Sequence, residues 1–352
     1  MSGTAFQASI RAISDIGIVR EENQDSHVVH EPADSDVKAQ KGSLVAIADG
    51  MGGLDDGSMA SRIAIETVLR AYYAHPGEAK EALEDAVKDA NRAIFEHARA
   101  LEGRRLMGST LTSLALLPDR ALVAHVGDSR AYRYRSGRID QITKDHSLVR
   151  ELAERGEIDE SSARYTFHRN VLTRGLGLRE EVAADIHEIT DLAEGDVFLL
   201  SSDGLHEQVE SDEMVSCLDS CQEDLDSACR QLVKIARERG GPDNITVALV
   251  RINKDGEPHA MRRNTSSPGA GAGTGDRAPW LLPVAVFGSF AAGVLLTLVV
   301  GTEPSSGDET LQAVRAEVSR ALEAPATKDA EAEAERLEVH LREIRRILGE
   351  QR

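Results

Sequence analysis

Aromatic residues make up only 3% of this 352-residue chain. Proteins that bind single-stranded nucleic acid stack the bases on aromatic side chains, so a surface of that kind is not expected here. The net charge of -19 adds electrostatic repulsion from a phosphate backbone. Both features argue against nucleic-acid binding, including a metal-dependent nuclease, although an acidic balance by itself is typical of a soluble surface.

Cysteine is also rare. The three cysteines, Cys217, Cys221 and Cys229, lie in one stretch that is predicted to be helical. Neither a disulfide framework nor a zinc site has this number and spacing. We therefore expect small buried side chains in a reducing compartment. Residues 1–14 lack an apolar run of signal-peptide length, which predicts that the following domain stays in the cytoplasm.

Composition divides the chain into four parts. Residues 5–253 alternate apolar runs with polar turns and are predicted to form the catalytic domain, whereas residues 254–279 are rich in Gly, Ser and Pro and are predicted to be a flexible linker. Residues 280–301 carry no charge. As a helix they would span about 33 Å, close to the hydrocarbon thickness of a bilayer, which favours a transmembrane helix over a buried core helix.

The charges around residues 280–301 predict the orientation of the span. Arg262 and Arg263 precede it, and no Lys or Arg follows until Arg315. The positive-inside rule then places the catalytic domain in the cytoplasm and the charged tail, 302–352, outside it. Two helical stretches of the tail each have an apolar face, which predicts self-association or an extracytoplasmic partner. A solvated, disordered tail is the alternative.

Five apolar runs within the first part have the length and the Gly, Asp or Asn boundaries of strands. The predicted strands are Leu44–Ala48, Ser109–Leu117, Ala121–Val126, Val197–Leu200 and Ile245–Ile252. Three further segments repeat apolar residues at helical spacing. The predicted helices are Ser58–Tyr73, Glu78–Leu101 and Leu225–Arg239. Helices and strands in one domain imply a mixed α/β or α+β fold.

Aspartates lie at the ends of several predicted strands. Asp49, Asp128 and Asp203 each follow an apolar run, and Asp243 precedes the last strand. A single Asp-Gly pair is more often a turn than a site. Several carboxylates at one end of a sheet would repel each other, and divalent cations bound through oxygen relieve such repulsion. Because no His or Cys ligand lies nearby, Mg²⁺ or Mn²⁺ is favoured over Zn²⁺.

Two further segments carry candidate residues. Arg20 lies shortly before Asp25, and its guanidinium could bind a phosphate through two parallel hydrogen bonds. A surface arginine without a ligand is the alternative. Residues 49–57 are rich in glycine but lack the Gly-Lys-Ser/Thr ending of a P-loop. Glycines let a backbone approach an ion closely, so the carbonyl oxygen of Gly50 is a candidate ligand.

Eight short motifs occur in an order that resembles one enzyme family. They are R-x-x-N-Q-D, A-D-G-M-G-G, G-S-T-L-T, V-G-D-S-R-A-Y, D-H-S-L-V, L-T-R-G-L-G, S-S-D-G-L and D-N-I-T-V. Their order resembles that of the bacterial branch of the type 2C metal-dependent serine/threonine protein phosphatases, and the resemblance covers about residues 8–252. The resemblance implies an α+β fold, a four-layer α-β-β-α sandwich with two central antiparallel sheets.

The resemblance also implies a role for each matching residue. Asp49 would bridge two Mn²⁺ or Mg²⁺ ions, Gly50 would bind the second ion through its carbonyl, and Asp25 would orient metal-bound water. Arg20 would hold the substrate phosphate. Asp203 and Asp243 would be the other carboxylate ligands of the first ion. Asp128 would bind an ion at a third, weaker site.

The activity implied is hydrolysis of phosphoserine and phosphothreonine in proteins by a water that two metals activate. Such a phosphoric monoester hydrolase opposes a serine/threonine kinase and acts on that kinase's substrates. A non-catalytic phosphoprotein-binding relative is the main alternative, disfavoured because every metal carboxylate is present. A small-molecule phosphatase is a further alternative, which an assay on phosphopeptide against aryl phosphate would address.

One position departs from the eukaryotic pattern. Eukaryotic relatives have a histidine at the position of Met51, and that histidine is proposed to protonate the leaving oxygen. Many bacterial members have methionine there, as this chain does. A metal-bound water is one alternative donor, and five histidines are others, although each is more often structural than catalytic. They are His27, His125, His146, His168 and His206. The segment from His146 to Thr173 matches the mobile flap beside the family's site.

Overall fold

The computed structural model describes residues 6–52, 56–101, 107–155, 171–221 and 224–254. Within these residues the strands are β1 Phe6–Asp15, β2 Asp25–His30, β3 Ser43–Met51, β4 Gly108–Ser109, β5 Leu111–Leu116, β6 Ala121–Val126, β7 Arg130–Arg135, β8 Arg138–Gln141, β9 Asp185–Ile189, β10 Val197–Ser201 and β11 Ile245–Lys254. The helices are α1 Ser35–Lys41, α2 Asp56–Ala74, α3 Ala79–Ala100, α4 Leu148–Glu154, α5 Asp203–His206, α6 Ser211–Cys221 and α7 Leu225–Glu238.

The strands form two antiparallel sheets. The first sheet has the order β1-β11-β10-β7-β8. The second has the order β2-β3-β5-β6-β9, and the short strand β4 pairs with β3. All of these pairings are antiparallel, so the predicted pair of antiparallel sheets is confirmed.

Side chains that alternate along the central strands separate three hydrophobic cores. On β3, Val45 and Ile47 pack with Phe198 of the other sheet, whereas Leu44 and Ala46 pack with helices α2 and α3. A third core lies between the first sheet and helices α6 and α7. Successive side chains of a strand point to opposite faces, so a run such as LVAIA is apolar throughout because both of its faces are buried. The layers are therefore helix, sheet, sheet, helix.

The predicted elements lie close to the observed ones, with one difference of substance. The predicted strand Ser109–Leu117 is interrupted at Thr110, which belongs to neither β4 nor β5. The backbone N–H of Thr110 donates to the Asp49 carbonyl, and Thr110 Oγ1 accepts from the Asp49 N–H. The strand breaks because this residue bonds to the end of β3 instead of continuing its own sheet pairing.

The cysteines lie on two helices rather than on the single helix that was predicted. Cys217 and Cys221 are on α6, which ends at Cys221, and Cys229 is on α7, which begins at Leu225. None of the three is in a disulfide. Cys217 and Cys229 are buried, which confirms the expectation of small core side chains for these two.

Most of the C-terminal third of the chain lies outside the described residues. Lys254, predicted to begin the linker, is instead the last residue of β11 and pairs with Phe6 of β1. The rest of the linker, the span 280–301 and the tail 302–352 are not among the described residues, so they stay predictions. In the part of the chain that the structure describes, no helix has the length and apolar character needed to cross a membrane.

Two buried histidines lie side by side next to β6. The rings of His125 and His146 have their centroids 4.6 Å apart. The ring nitrogens of His125 lie 3.0 Å from Thr112 Oγ1 and 3.0 Å from the Lys144 carbonyl oxygen. Burial, followed by the adjacent charge of His146, lowers the pKa of His125 to about 3. His125 is therefore neutral in the folded protein between about pH 3 and pH 6.5, a range in which the unfolded chain would protonate it.

This burial predicts a specific pH dependence of stability. An unfolded histidine titrates near pH 6.5, so stability contributed by neutral His125 is complete above that pH and is lost as the pH falls towards 3. Between pH 7 and pH 5 the free energy of unfolding should fall by roughly 2 kcal/mol more in the wild type than in His125→Gln. Urea titrations at both pH values measure the difference. His97→Gln, on the outer helix α3, is the control, and equal pH dependence in all three proteins would contradict the prediction.

Candidate metal centre

Two of the predicted aspartates face each other on neighbouring strands. Asp25, the first residue of β2, pairs in register with Asp49 near the end of β3. The backbone of Asp49 is fixed by its bonds to Thr110 and by Ser109 Oγ, which donates to the Asp49 carbonyl at 3.0 Å. The two carboxylates therefore start from adjacent positions at one end of the second sheet.

The other three aspartates come to the same end from the turns of the first sheet. Ser201, the last residue of β10, pairs with Arg130 at the start of β7 and with Val247 near the start of β11. Asp203 follows β10, whereas the remaining two aspartates lie just before β7 and β11. The antiparallel register thus collects Asp128, Asp203 and Asp243.

Hydrogen bonds from the first sheet hold the buried carboxylate of Asp25. Its Oδ2 accepts from Ser202 Oγ at 2.7 Å and from Thr246 Oγ1 at 2.6 Å. Sequence reasoning did not assign a role to either hydroxyl. Both nevertheless stand within motifs that it used, Ser202 directly before Asp203 and Thr246 in D-N-I-T-V. A hydroxyl residue close in sequence to a predicted ligand was therefore the signal that could have identified both residues as part of the site.

Burial, with repulsion from neighbouring carboxylates, raises the pKa values of Asp25, Asp49, Asp128 and Asp203. Burial raises the pKa of Asp25 to about 6, although the hydrogen bonds from Thr246 and Ser202 oppose the shift. Burial and then the charge of Asp145 raise the pKa of Asp128 to about 7. The pKa values of Asp49 and Asp203 lie well above the usual range, first because of burial and then because of the neighbouring aspartates. A cation placed among them would relieve this repulsion.

The donors present fit a hard divalent cation. Asp25 Oδ1 and Asp203 Oδ1 are buried and have no hydrogen-bond partner among the described residues. Buried carboxylate oxygens without partners are costly, and oxygen ligands are what Mg²⁺ and Mn²⁺ prefer. Elsewhere in the described residues, His75, Glu81 and Asp85 form a group of three possible ligands at the start of α3, with ligand atoms within 4.8 Å of one another. The predicted aspartates are spread more widely than that group.

The two glycines that follow aspartates at this centre are required by packing. A Cβ on Gly50 would lie 1.9 Å from the Gly57 carbonyl oxygen, and a Cβ on Gly204 would lie 2.1 Å from that of Asn244. Backbone lies directly against backbone at both positions. The close approach seen at Gly50 is to the backbone of Gly57, and its carbonyl oxygen as a metal ligand stays a prediction.

Arg20 lies at the exposed rim of the cluster and contacts one of its members. Its Nη2 donates to Asp243 Oδ2 at 2.6 Å, and 42% of the Arg20 side chain is exposed.

The side chain of Asn244 holds the loop between β1 and β2. Its Nδ2 donates to the carbonyls of Ile16 and Glu22. Sequence reasoning gave Asn244 no part in the site, although it follows Asp243 in the last motif.

The five histidines considered as proton donors lie in four settings, the first being that of His27, an exposed residue of β2. His125 and His146 are buried, which confirms the structural interpretation for these two. The Nδ1 atom of His206 lies 3.1 Å from Ser201 Oγ, and His168 lies outside the described residues. Met51, at the eukaryotic histidine position, packs near Gly175, where an added Cβ would be 3.1 Å from Met51 Cε.

Comparisons with known sequences agree with this geometry. The sequence model described as protein phosphatase 2C matches residues 20–249. The chain is 33% identical over 250 residues to protein phosphatase PhpP of Streptococcus pneumoniae, covering 70% of this chain and 98% of that protein. It is also 33% identical over 245 residues to serine/threonine phosphatase stp of Listeria innocua, covering 68% and 94% of the two chains.

Solved structures share the fold. The Mycobacterium tuberculosis serine/threonine phosphatase PstP/Ppp is 32% identical, with a TM-score of 0.61 over 70% of this chain and 99% of that one. The catalytic domain of PstP in complex with two manganese ions is also 32% identical, with a TM-score of 0.59 over 71% and 100% of the two chains. The family match covers most of the chain, and the relatives are matched over nearly their whole length. The chain therefore belongs to the protein phosphatase 2C family and is a metal-dependent serine/threonine protein phosphatase.

Proposed function

We propose that the aspartate cluster and Gly50 hold two divalent cations, manganese or magnesium, with a third, weaker site at Asp128, and that Arg20 binds the substrate phosphate. The observation that carries this proposal is the pair of buried oxygens, Asp25 Oδ1 and Asp203 Oδ1, that lack a hydrogen-bond partner in the described residues. The manganese complex of the related catalytic domain supports the choice of metal. When bound, such ions polarise water and neutralise charge on the phosphoryl oxygens. The proposed metal-site residues are Asp25, Asp49, Gly50, Asp128, Asp203 and Asp243, of which Asp25 would act through a water that its Oδ1 holds.

Asp25 has the properties of a residue that orients the attacking water. Ser202 and Thr246 occupy its Oδ2, which fixes the carboxylate and leaves Oδ1 to accept a hydrogen bond. A water held by Oδ1 would keep one orientation, and positioning of this kind is a large part of catalysis in phosphoryl transfer.

Arg20 has the exposure and the donors that phosphate binding needs. Asp243 takes one of its N–H groups, and the half-exposed guanidinium keeps others for a second ligand. A guanidinium matches the geometry of phosphate through paired hydrogen bonds. The substrates would be phosphorylated proteins, including a serine/threonine kinase and its targets, and the net charge of -19 disfavours nucleic acid.

The first test removes single carboxylates. Asp49→Asn and Asp203→Asn should each lower the Mn²⁺-dependent turnover of a phosphothreonine peptide by roughly 100-fold or more, because an amide cannot neutralise a cation. Circular dichroism should show a folded protein, and calorimetry should show weakened Mn²⁺ binding. Asp119→Asn, in an exposed turn, is the matched control. Near-normal turnover in either site variant would exclude the metal assignment.

The second test concerns the phosphate-binding arginine. Arg20→Ala should raise KM for the peptide more than it lowers kcat, because a phosphate ligand acts in the ground state as well as in the transition state. Arg138→Ala removes an exposed arginine from the β7–β8 hairpin and should leave both constants as in the wild type. An unchanged KM in Arg20→Ala would show that the phosphate binds elsewhere.

The third test concerns the division of the chain. We propose that residues 280–301 anchor the enzyme in the cell membrane by a single span, with the catalytic domain in the cytoplasm; the uncharged run and its flanking charges support this. A chain that ends at Lys254 keeps all of β11 and should be active in the soluble fraction, whereas the full chain should sediment with membranes. Full-length protein in the soluble fraction would contradict the anchor, and an inactive but folded shorter chain would contradict the domain boundary.

The tail 302–352 would then lie outside the cytoplasm and bind a second copy or an extracytoplasmic partner through its apolar faces. Sedimentation of the tail peptide over a concentration series tests self-association. A helicity that is low and independent of concentration would exclude it.

A further inference from the structure

Segment 16–19 exposes large apolar side chains directly beside Arg20. Ile18 is 58% exposed and Val19 is 64% exposed, and these are the two most exposed large hydrophobic side chains in the described part of the chain. Ile16 adds a third at 38%. Three aliphatic side chains within four residues therefore place apolar area in water close to Arg20, and contact with an apolar partner would be favourable there.

The backbone of segment 16–19 is held firmly. The N–H groups of Ile18 and Val19 both donate to the Gly241 carbonyl, at 2.8 and 3.3 Å. Gly17 has a φ of +82°, and a Cβ there would lie 2.2 Å from the Asp243 carbonyl oxygen. The segment thus packs against the same 241–244 turn that supplies a proposed metal ligand. Its side chains are exposed on a fixed backbone, so the apolar surface keeps a constant position relative to the site.

The position of this surface limits what can reach it. Val19 precedes Arg20 directly, and consecutive Cα atoms are about 3.8 Å apart. A peptide whose phosphorylated residue contacts Arg20 advances by about 3.3 Å per residue when extended, so its adjacent side chains come within reach of segment 16–19. A stable contact between two protein copies buries about 800 Å² on each partner, far more than three side chains offer. The strongly acidic chain also disfavours an anionic lipid surface.

We propose that Ile18 and Val19 form an apolar subsite for an aliphatic or aromatic side chain that lies within two residues of the phosphoserine or phosphothreonine of a protein substrate. The inference rests on the proposed phosphate-binding role of Arg20. It adds a preference for substrates that carry an apolar residue near the phosphorylated one. Two β-branched side chains without hydrogen-bonding groups select for apolar partners and gain nothing from polar ones. Substrates would therefore be distinguished by sequence next to the phosphate and not by the phosphate alone.

The test compares paired phosphothreonine peptides with the full-length enzyme and Mn²⁺. Each pair carries Leu or Ser at one position, one or two residues before or after the phosphothreonine. At one or more positions the wild type should have a kcat/KM about 10-fold higher for the Leu peptide, the discrimination typical of a small hydrophobic pocket. In the double variant Ile18→Ser, Val19→Ser the ratio of the two kcat/KM values should fall to near one. Because the ratio is taken within each protein, a general loss of activity does not change it.

The controls separate this inference from the function on which it rests. Val37→Ser removes a comparably apolar side chain, 37% exposed, from α1. Helix α1 follows the end of β2 that is opposite Asp25, so this variant should keep the wild-type ratio of the two kcat/KM values. Val19→Ser alone should give an intermediate ratio. If the wild type hydrolyses neither peptide, the proposed function fails and the subsite fails with it. If it hydrolyses both equally well, or if the double variant keeps the preference, only the subsite is excluded. Loss of self-association in the double variant with an unchanged ratio would assign the surface to a second copy and overturn the proposal.

Discussion

Asp25 belongs to one sheet and is held by the other. Its Oδ2 accepts hydrogen bonds from Ser202 and Thr246 across the sandwich, while its pairing in β2 fixes it opposite Asp49. At this end the two sheets are therefore joined by hydrogen bonds to a buried carboxylate. A buried carboxylate is tolerated only when it is well hydrogen-bonded or bound to a cation, so fold and site impose the same requirement on these residues.

The remainder of the cluster extends this constraint. Burial and repulsion among Asp49, Asp203 and their neighbours raise their pKa values, so this end of the sandwich is electrostatically unfavourable without counter-charge. The three hydrophobic cores, which lie along the length of the sheets, provide the stability that offsets it. Arg20 supplies one positive charge from the rim through Asp243. This division between a stable body and a strained end is common at functional sites.

Sequence reasoning succeeded where a residue's chemistry or a strand's periodicity is local. The central strands β3, β6, β10 and β11 were predicted because both of their faces are buried, which leaves continuous apolar runs. Strands β1, β2 and β9 were not predicted, since partial exposure mixes polar residues into them. The aspartates were found at strand ends, but only the resemblance to a family suggested that they meet. The antiparallel register that brings them together is a long-range property that no local pattern encodes.

Asn244 shows the same limit within the site. Its three hydrogen bonds reach Ile16, Glu22 and Gln24, more than two hundred residues earlier in the chain. Nothing in the residues around Asn244 indicates those partners. Hydroxyl and amide groups that orient a ligand are recognised from contacts, whereas ligands themselves are recognised from residue type.

Backbone packs directly against backbone at Gly50 and Gly204. The Asp-Gly pairs at this site are therefore explained by close packing and not by the turn that such a pair usually indicates. Neither glycine has a positive φ; each is needed because a carbonyl oxygen occupies the place of a Cβ. Any other residue would have to move main chain, and with it the aspartate that precedes it. The interior of the centre can therefore vary little without losing its geometry. Members of such a family can therefore differ in substrate preference chiefly through side chains that face outward from a fixed backbone. The side chains of Ile18 and Val19 are of this kind.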